Sequence, residues 1–206
     1  LRIDCIITSR LRPEYLDRTL ESLFRYNHTN LNNVWVYEDS DETDDVMDVC
    51  SKYEVIPILG GGNKGQVHAI DQLMSYVQTD FYLHLEDDWE CLEFGFIPEA
   101  IALLSDINIC QINGRGRSPK ALNGHPVKEG FLSNDYMGWN GWMYAPTVNR
   151  TYAYNQLREY RLHSDWNPHQ PWMSEKQIGS KFKGLKYVTE KTYFKHIGEN
   201  STFKLR

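Results

Sequence analysis

Three consecutive acids, Glu86, Asp87 and Asp88, follow an apolar run at residues 81–85. Carboxylates this close repel one another, so something must offset their charge. A hard divalent cation does so. Carboxylate oxygens suit Mg2+ or Mn2+, and a magnesium-like ion held by few carboxylates keeps coordination sites for diphosphate oxygens. In an arbitrary loop the same acids would read as a solvated turn. At the end of a buried strand in an α/β sheet, where ligands of such sheets bind, the cation site is the stronger reading. The formal net charge is −6, so no basic field invites nucleic acid or an anionic membrane. An anionic ligand therefore needs the ion or local basic groups, and Arg10, Arg12 and Lys64 fall near the polar clusters.

Two further clusters have the same setting. Thr8-Ser9-Arg10-Leu11-Arg12-Pro13 follows an apolar, β-branched run at residues 3–8, and Glu38-Asp39-Ser40-Asp41 follows a second at residues 34–37. A carboxylate in the second position can accept hydrogen bonds from a ribose or a base edge. Gly61-Gly62-Asn63-Lys64-Gly65 reads as a flexible turn into a helix, and it matches neither the P-loop nor G-x-G-x-x-G.

The elements that would position these clusters alternate. Strands are predicted at residues 3–8, 34–37, 55–59 and 81–85, and helices from Pro13, at 43–53 and at 66–77. Leu16, Leu20, Leu23 and Phe24 give the first helix one apolar face, and Pro13 suits its opening position. Such alternation implies a mostly parallel sheet flanked by helices, with the polar clusters at the carboxyl ends of its strands. The second half is less regular. A helix at 98–104, a strand at 107–112, a helix at 147–160, a short helix near 174–182 and strands at 185–188 and 193–196 are expected. Residues 113–142, rich in Gly, Asn and Trp, read as a long functional loop.

Composition is that of a soluble globular chain, with 24% charged and 41% hydrophobic residues among 206. No apolar run approaches a membrane span. Residues 1–7 read as strand rather than leader, and a start at Leu1 reads as a trimmed chain. Cys5, Cys50, Cys91 and Cys110 form no C-x-x-C pair and read as buried free thiols, which suits a reducing compartment.

Taken in order, these motifs resemble the GT-A nucleotide-sugar glycosyltransferases, family 2 in particular. The carriers are the polar end of strand one, Glu38-Asp39-Ser40-Asp41 after strand two, the Asn63-Lys64-Gly65 turn, and Glu86-Asp87-Asp88 in the place of D-x-D. The resemblance covers residues 3–90 well and the rest loosely. It implies a single GT-A, Rossmann-like domain over 1–206, with a nucleotide-sugar half at 1–112 and an acceptor half at 113–206. Thr8 and Arg10 would line the nucleotide pocket, Asp39 would contact uracil or ribose, and Asn63 and Lys64 would flank the nucleotide. Glu86 and Asp87 would face the donor ribose and sugar, and Asp88 would ligate Mn2+ or Mg2+. Tyr193-Phe194-Lys195-His196-Ile197-Gly198 is similar to a closing H-x-G element, which makes His196 a second ligand and favours Mn2+.

The implied reaction moves a hexose from a UDP-sugar to a hydroxyl of a carbohydrate or glycoconjugate, with inversion. Inversion needs a general base. Glu175, after a possible N-cap at Ser174, is the first choice and Asp165 the second. Trp139 and Trp142, set among glycines, could stack on an acceptor sugar or fill a core. Two rivals fit less well. A sugar-1-phosphate nucleotidyltransferase would carry G-x-G-x-R and a P-K pair after strand one, which Arg10-Leu11-Arg12-Pro13 does not supply. A non-catalytic carbohydrate-binding module, which six tryptophans would suit, has no need of three acids after a buried strand. The compact size is similar to that of glycosyltransferase domains of large algal viruses. The expected location is the cytoplasm, and the host cytoplasm for a viral chain.

Overall fold

A computed structural model describes residues 1–116, 132–133, 142–162, 185–189 and 191–198. The first half alternates as expected: β1 (Ile3–Ser9), α1 (Pro13–Asn27), β2 (Leu31–Glu38), α2 (Asp44–Lys52), β3 (Ile56–Leu59), α3 (Gln66–Leu73) and β4 (Phe81–Glu86). Then follow β5 (Trp89–Cys91), α4 (Phe96–Leu103), β6 (Ile109–Asn113), β7 (Leu132–Ser133), β8 (Thr147–Arg150), α5 (Thr151–Leu162), β9 (Leu185–Val188) and β10 (Phe194–His196).

Among the described residues, eight strands form one sheet in the order β3-β2-β1-β4-β8-β6-β9-β7. Neighbours β3, β2, β1 and β4 are parallel, β8 is antiparallel to both β4 and β6, and β9 runs parallel to β6 with β7 against it. The sheet is therefore mostly parallel, and β5 and β10 pair separately as a two-stranded ladder.

Strand alternation divides the core between the two faces. Cys5 and Ile7 of β1 pack with Val34, Val36, Leu83 and Leu85 under Leu16, Leu20 and Leu23 of α1, with Val46 of α2 and Ile97 of α4 in the same cluster. Ile6, Trp35, Tyr37 and Tyr82 face the other way, toward Val67, Ile70 and Leu73 of α3 and Ala153, Tyr154 and Leu157 of α5. At the far end of the sheet, buried Asp4 ties strands and loops together. It accepts hydrogen bonds from Asn32 Nδ2 at 2.9 Å and from the Gln78 N–H at 2.8 Å. The four cysteines are buried, and no disulfide joins them.

Several expectations change. The helix expected at 147–160 begins at Thr151, because Thr147, Val148 and Asn149 are drawn into the sheet between β4 and β6. Sheet pairing on both sides overrides the local helical pattern there. α4 starts at Phe96 with Pro98 in its first turn, where a missing N–H costs nothing. α3 ends at Leu73 rather than 77, with Met74 as its C-cap. β5 and β7 were not expected. The helix near 174–182 and most of the loop at 113–142 lie outside the described residues.

His84 of β4 is buried beside Tyr144, with ring centroids 6.0 Å apart, and its Nε2 is buried without a hydrogen-bond partner. Burial lowers its imidazole to about 3, against an opposing hydrogen bond to the Tyr144 backbone. The unfolded chain, with an imidazole near 6.5, takes up the proton first. Stability present above about 6.5 is therefore lost as pH falls toward 3, by at most about 1.4 kcal/mol per pH unit. Urea unfolding between pH 7 and 5 should show this slope, and His84→Leu should flatten it. Equal slopes in the two proteins would remove His84 as its source.

Candidate active site

The tips of β1, β2 and β4 stand level, since Ser9 pairs with Glu38 and Thr8 with Glu86. The backbone crosses between them just beyond: Asp39 N–H donates to the Ser9 carbonyl at 2.9 Å, and Asp87 N–H donates to the Thr8 carbonyl at 3.0 Å. A cleft of about 240 Å3 opens above these tips, bounded on one side by Asn63, Gly65 and Gln66 at the start of α3.

The three acids have separate partners. Glu86 accepts from Trp89 Nε1 at 3.1 Å and from Gln66 Nε2. Asp87 is fully buried; it accepts from the Arg10 N–H at 3.2 Å, from Arg12 Nε at 3.2 Å and from Arg12 Nη2. Asp88 Oδ2 meets Arg12 Nη1 at 2.7 Å and His196 Nε2 at 3.2 Å, while its Oδ1 is buried with no partner. Burial pushes the Asp87 carboxyl up, to about 7, while Arg12 pulls it down. For Asp88, burial is outweighed by the His196 hydrogen bond and the charge of Arg12, so its carboxyl lies below the usual carboxylate range. The hydrogen bond to Asp88 in turn raises the His196 imidazole, against the effect of burial.

His196 reaches the cluster through the β5–β10 ladder, where it pairs with Trp89; their rings are 5.0 Å apart. The Ile197 N–H donates to the Asp88 carbonyl at 2.9 Å. Gly198 follows, and a β-carbon there would stand 2.2 Å from Asp88 Oδ2, so no larger residue fits without moving the carboxylate. Behind the cluster, the Thr19 hydroxyl of α1 donates to the Asp87 carbonyl at 2.7 Å.

The other wall hangs on Asp39, whose two carboxylate oxygens accept the Lys64 and Gly65 N–H groups at 2.8 Å each. Gly65 has φ 96°, a conformation that favours glycine. Leu11, with φ 57°, carries backbone strain at the cleft edge; its N–H donates to Glu38 Oε1 at 3.0 Å.

Thr8, Arg10, Asp39, Asn63, Glu86, Asp87, Asp88 and His196 thus line one cleft. Lys64 contributes its main chain to Asp39 and is itself exposed. Trp142 is a correction to the stacking expectation: it is fully buried, packed with Tyr154 at 6.4 Å between centroids, and belongs to the core. Trp139, Asp165 and Glu175 lie outside the described residues. Arg12, a cation near the polar clusters by sequence, has its guanidinium committed to the acids. Sequence reasoning missed three contributors. Gln66 and Trp89, which hold Glu86, carry no motif beyond their adjacency to the turn and to the acids. Arg115 lies beyond β6 with its guanidinium 4.4 Å from the centre of the Trp89 ring, and only the end of that strand marks it.

A divalent cation fits this donor set. Among the described residues no three His, Cys, Asp or Glu side chains are arranged to hold a metal ion together, but Asp88 and His196 supply one carboxylate and one imidazole. Asp88 Oδ1, buried and uncommitted, is an acceptor lacking a donor. Two protein ligands suit an ion that takes its remaining oxygens from water and diphosphate.

The glycosyl transferase family 2 model matches residues 4–194. The chain belongs to glycosyl transferase family 2. No curated protein matches it. Among solved structures, this family 2 chain is similar in fold to a mannosyltransferase from Pyrobaculum calidifontis, in complex with GDP-Man and Mn2+. The TM-score is 0.67 at 11% identity, covering 100% of this chain and 60% of that one. It is also similar to a 4-diphosphocytidyl-2C-methyl-D-erythritol synthase from Anaerococcus prevotii, with TM-score 0.65 and 13% identity over 96% and 93% of the two chains. A cytidylyltransferase from Leptospira borgpetersenii gives TM-score 0.58 and 14% identity over 93% and 78%. At such identities the likeness is one of fold, shared by enzymes of different chemistry. Among the described residues, no helix is long and apolar enough to cross a membrane.

Asp39→Asn keeps the shape of the side chain but replaces one accepting oxygen with a donor. One of the two N–H groups it holds then loses its partner, at a cost of about 1–3 kcal/mol. Chemical denaturation should read a loss of this size. An unchanged midpoint would mean that the loop does not depend on Asp39.

Proposed function

We propose that this family 2 chain transfers a hexose from a UDP-sugar to a hydroxyl of a carbohydrate or glycoconjugate acceptor, with inversion and with Mn2+ or Mg2+. The observation that carries the reading is the Asp88 carboxylate at the tip of β4. One of its oxygens is buried and uncommitted, and His196 lies 3.2 Å from the other, in a cleft built by family 2 sequence motifs. Asp88 and His196 would hold the cation, whose charge stabilises a departing diphosphate when bound.

The chain's own groups divide the rest of the work. Arg10 lines the cleft with a buried Nε that has no partner, a vacant donor for a diphosphate oxygen. Asp39 keeps lone pairs beyond the two it gives to the loop, and these can accept from uracil or ribose. Asn63 and Lys64 flank the nucleotide. Glu86, oriented by Gln66 and Trp89, faces the donor ribose and sugar. Asp87 holds Arg12 on the same side of the pocket. Residues 1–112 form the donor half, and 113–206 supply the acceptor half with Trp139 as a stacking surface. Glu175, or failing it Asp165, takes the proton from the acceptor hydroxyl. Buried thiols joined by no disulfide support a reducing, cytoplasmic setting.

Two experiments test this. UDP should bind more tightly with Mn2+ than in EDTA, and Asp88→Ala should abolish both that difference and sugar transfer while leaving the circular dichroism spectrum unchanged. Equal UDP affinity in EDTA and Mn2+ for the wild type would contradict the reading. For the base, Glu175→Gln should retain donor binding and lose about 10²–10⁴-fold in kcat. A loss of that size at Asp165→Asn, with Glu175→Gln near normal, would move the role to Asp165. Near-normal turnover in both would argue against inversion, which the anomeric configuration of the product, read by NMR, decides.

A further inference from the structure

Arg12 occupies the ground that a cation at Asp88 would share. It precedes Pro13, the first residue of α1, and its side chain is 18% exposed. Three of its nitrogens point at the acids: Nε and Nη2 at Asp87, and Nη1 at Asp88 Oδ2. His196 uses the same Oδ2, so one oxygen of Asp88 has two donors and the other has none. Arg12 places one positive charge on the inner side of the acids. A divalent ion arriving at Asp88 therefore meets a carboxylate already partly neutralised, with a fixed positive charge beside it. Both effects weaken its binding. A nucleoside diphosphate entering the cleft brings negative charge to the same place and offsets that repulsion.

We propose that Arg12 is the resident counter-cation of the acidic cluster and couples metal entry to donor entry, holding divalent-ion affinity low until a diphosphate occupies the cleft. The inference rests on the reading of Asp88 as a metal ligand. Arg12 acts here as a positioning residue that works through Asp87 and Asp88. Because coupling is reciprocal, the factor by which UDP tightens Mn2+ equals the factor by which Mn2+ tightens UDP, and Arg12 sets part of both.

The test is direct Mn2+ binding, read from the electron paramagnetic resonance signal of free Mn2+, with and without UDP. The proteins compared are the wild type, Arg12→Lys, Arg12→Gln and Asp88→Ala. In the wild type, Mn2+ alone should bind weakly and UDP should tighten it. Arg12→Gln should bind Mn2+ alone at least about tenfold more tightly, with a smaller gain from UDP. Arg12→Lys, which keeps the charge, should stay near the wild type; a purely structural role for the guanidinium fork would not be rescued this way. Arg12→Gln leaves Asp87 buried without a counter-charge and can unfold the protein. If it does, the double variant Arg12→Gln with Asp87→Asn is compared with Asp87→Asn alone, so that only the Arg12 charge differs, and it should bind Mn2+ alone more tightly by the same factor. If Asp88→Ala loses Mn2+ binding while removing Arg12 leaves the metal-alone affinity at or below the wild-type value, the inference is overturned and the metal site stands. If Asp88→Ala binds Mn2+ with UDP as tightly as the wild type, the metal reading itself fails and the inference with it.

Discussion

Three carboxylates crowded at one strand tip are the constraint around which this protein is arranged. Asp87 is fully buried, and a buried carboxylate without a partner is among the most costly groups a fold can hold. The guanidinium of Arg12 is its partner, and that single pairing fixes other parts. It ties the tip of β4 to the residue just before α1, which Pro13 opens. Thr19 of α1 adds a second tie, to the Asp87 carbonyl. The pairing also leaves Asp88 half engaged, with one oxygen on Arg12 and His196 and one on nothing. The Asp39 carboxylate serves the opposite wall in a similar way, by gathering the N–H groups of the loop that enters α3.

Much of the first half of the chain was legible in the sequence because its signals are local. Leu16, Leu20 and Leu23 mark the buried face of α1 at helical spacing, and the apolar runs at 3–8, 34–37 and 81–85 mark central strands of the sheet. The acids stand out because three charges following such a run have no reason to be there in a core. Signals that depend on partners distant in the chain were not legible. Nothing local in Thr147–Arg150 distinguishes a strand from the helix that follows; only the gap between β4 and β6 does. Trp142 among glycines looks like an exposed platform, and only Tyr154 and its neighbours show it to be core. Arg12 and Lys64 are both basic residues near the pocket. Their spacing does not reveal that one is spent on the acids while the other contributes its backbone to the wall and stands exposed.

The sheet explains less of the chemistry than its tips do. A cytidylyltransferase, a 4-diphosphocytidyl-2C-methyl-D-erythritol synthase and a mannosyltransferase are similar in fold to this chain at 11–14% identity, so parallel strands with helices on both faces do not by themselves choose a reaction. Family membership follows from the sequence along residues 4–194, a span that includes the acids and the turn before α3. The strand arrangement is common ground among these enzymes, and family 2 membership is a matter of sequence.

The β5–β10 ladder joins residues 89–91 to 194–196 and is three residues long on each side. Few backbone bonds hold it, yet its side chains are core: Trp89, Cys91, Tyr193 and Phe194 lie in the same buried cluster as Leu16 and Leu83, and Phe194 packs edge-on against Phe96 at 5.1 Å. Opening the ladder to release His196 from Asp88 would therefore draw Phe194 out of the core, which sets the cost well above that of a few hydrogen bonds. Amide hydrogen exchange at Ile197, whose N–H is bonded to the Asp88 carbonyl, would register such an opening. The integrity of the site and the stability of the fold are thus tied together through one buried aromatic ring.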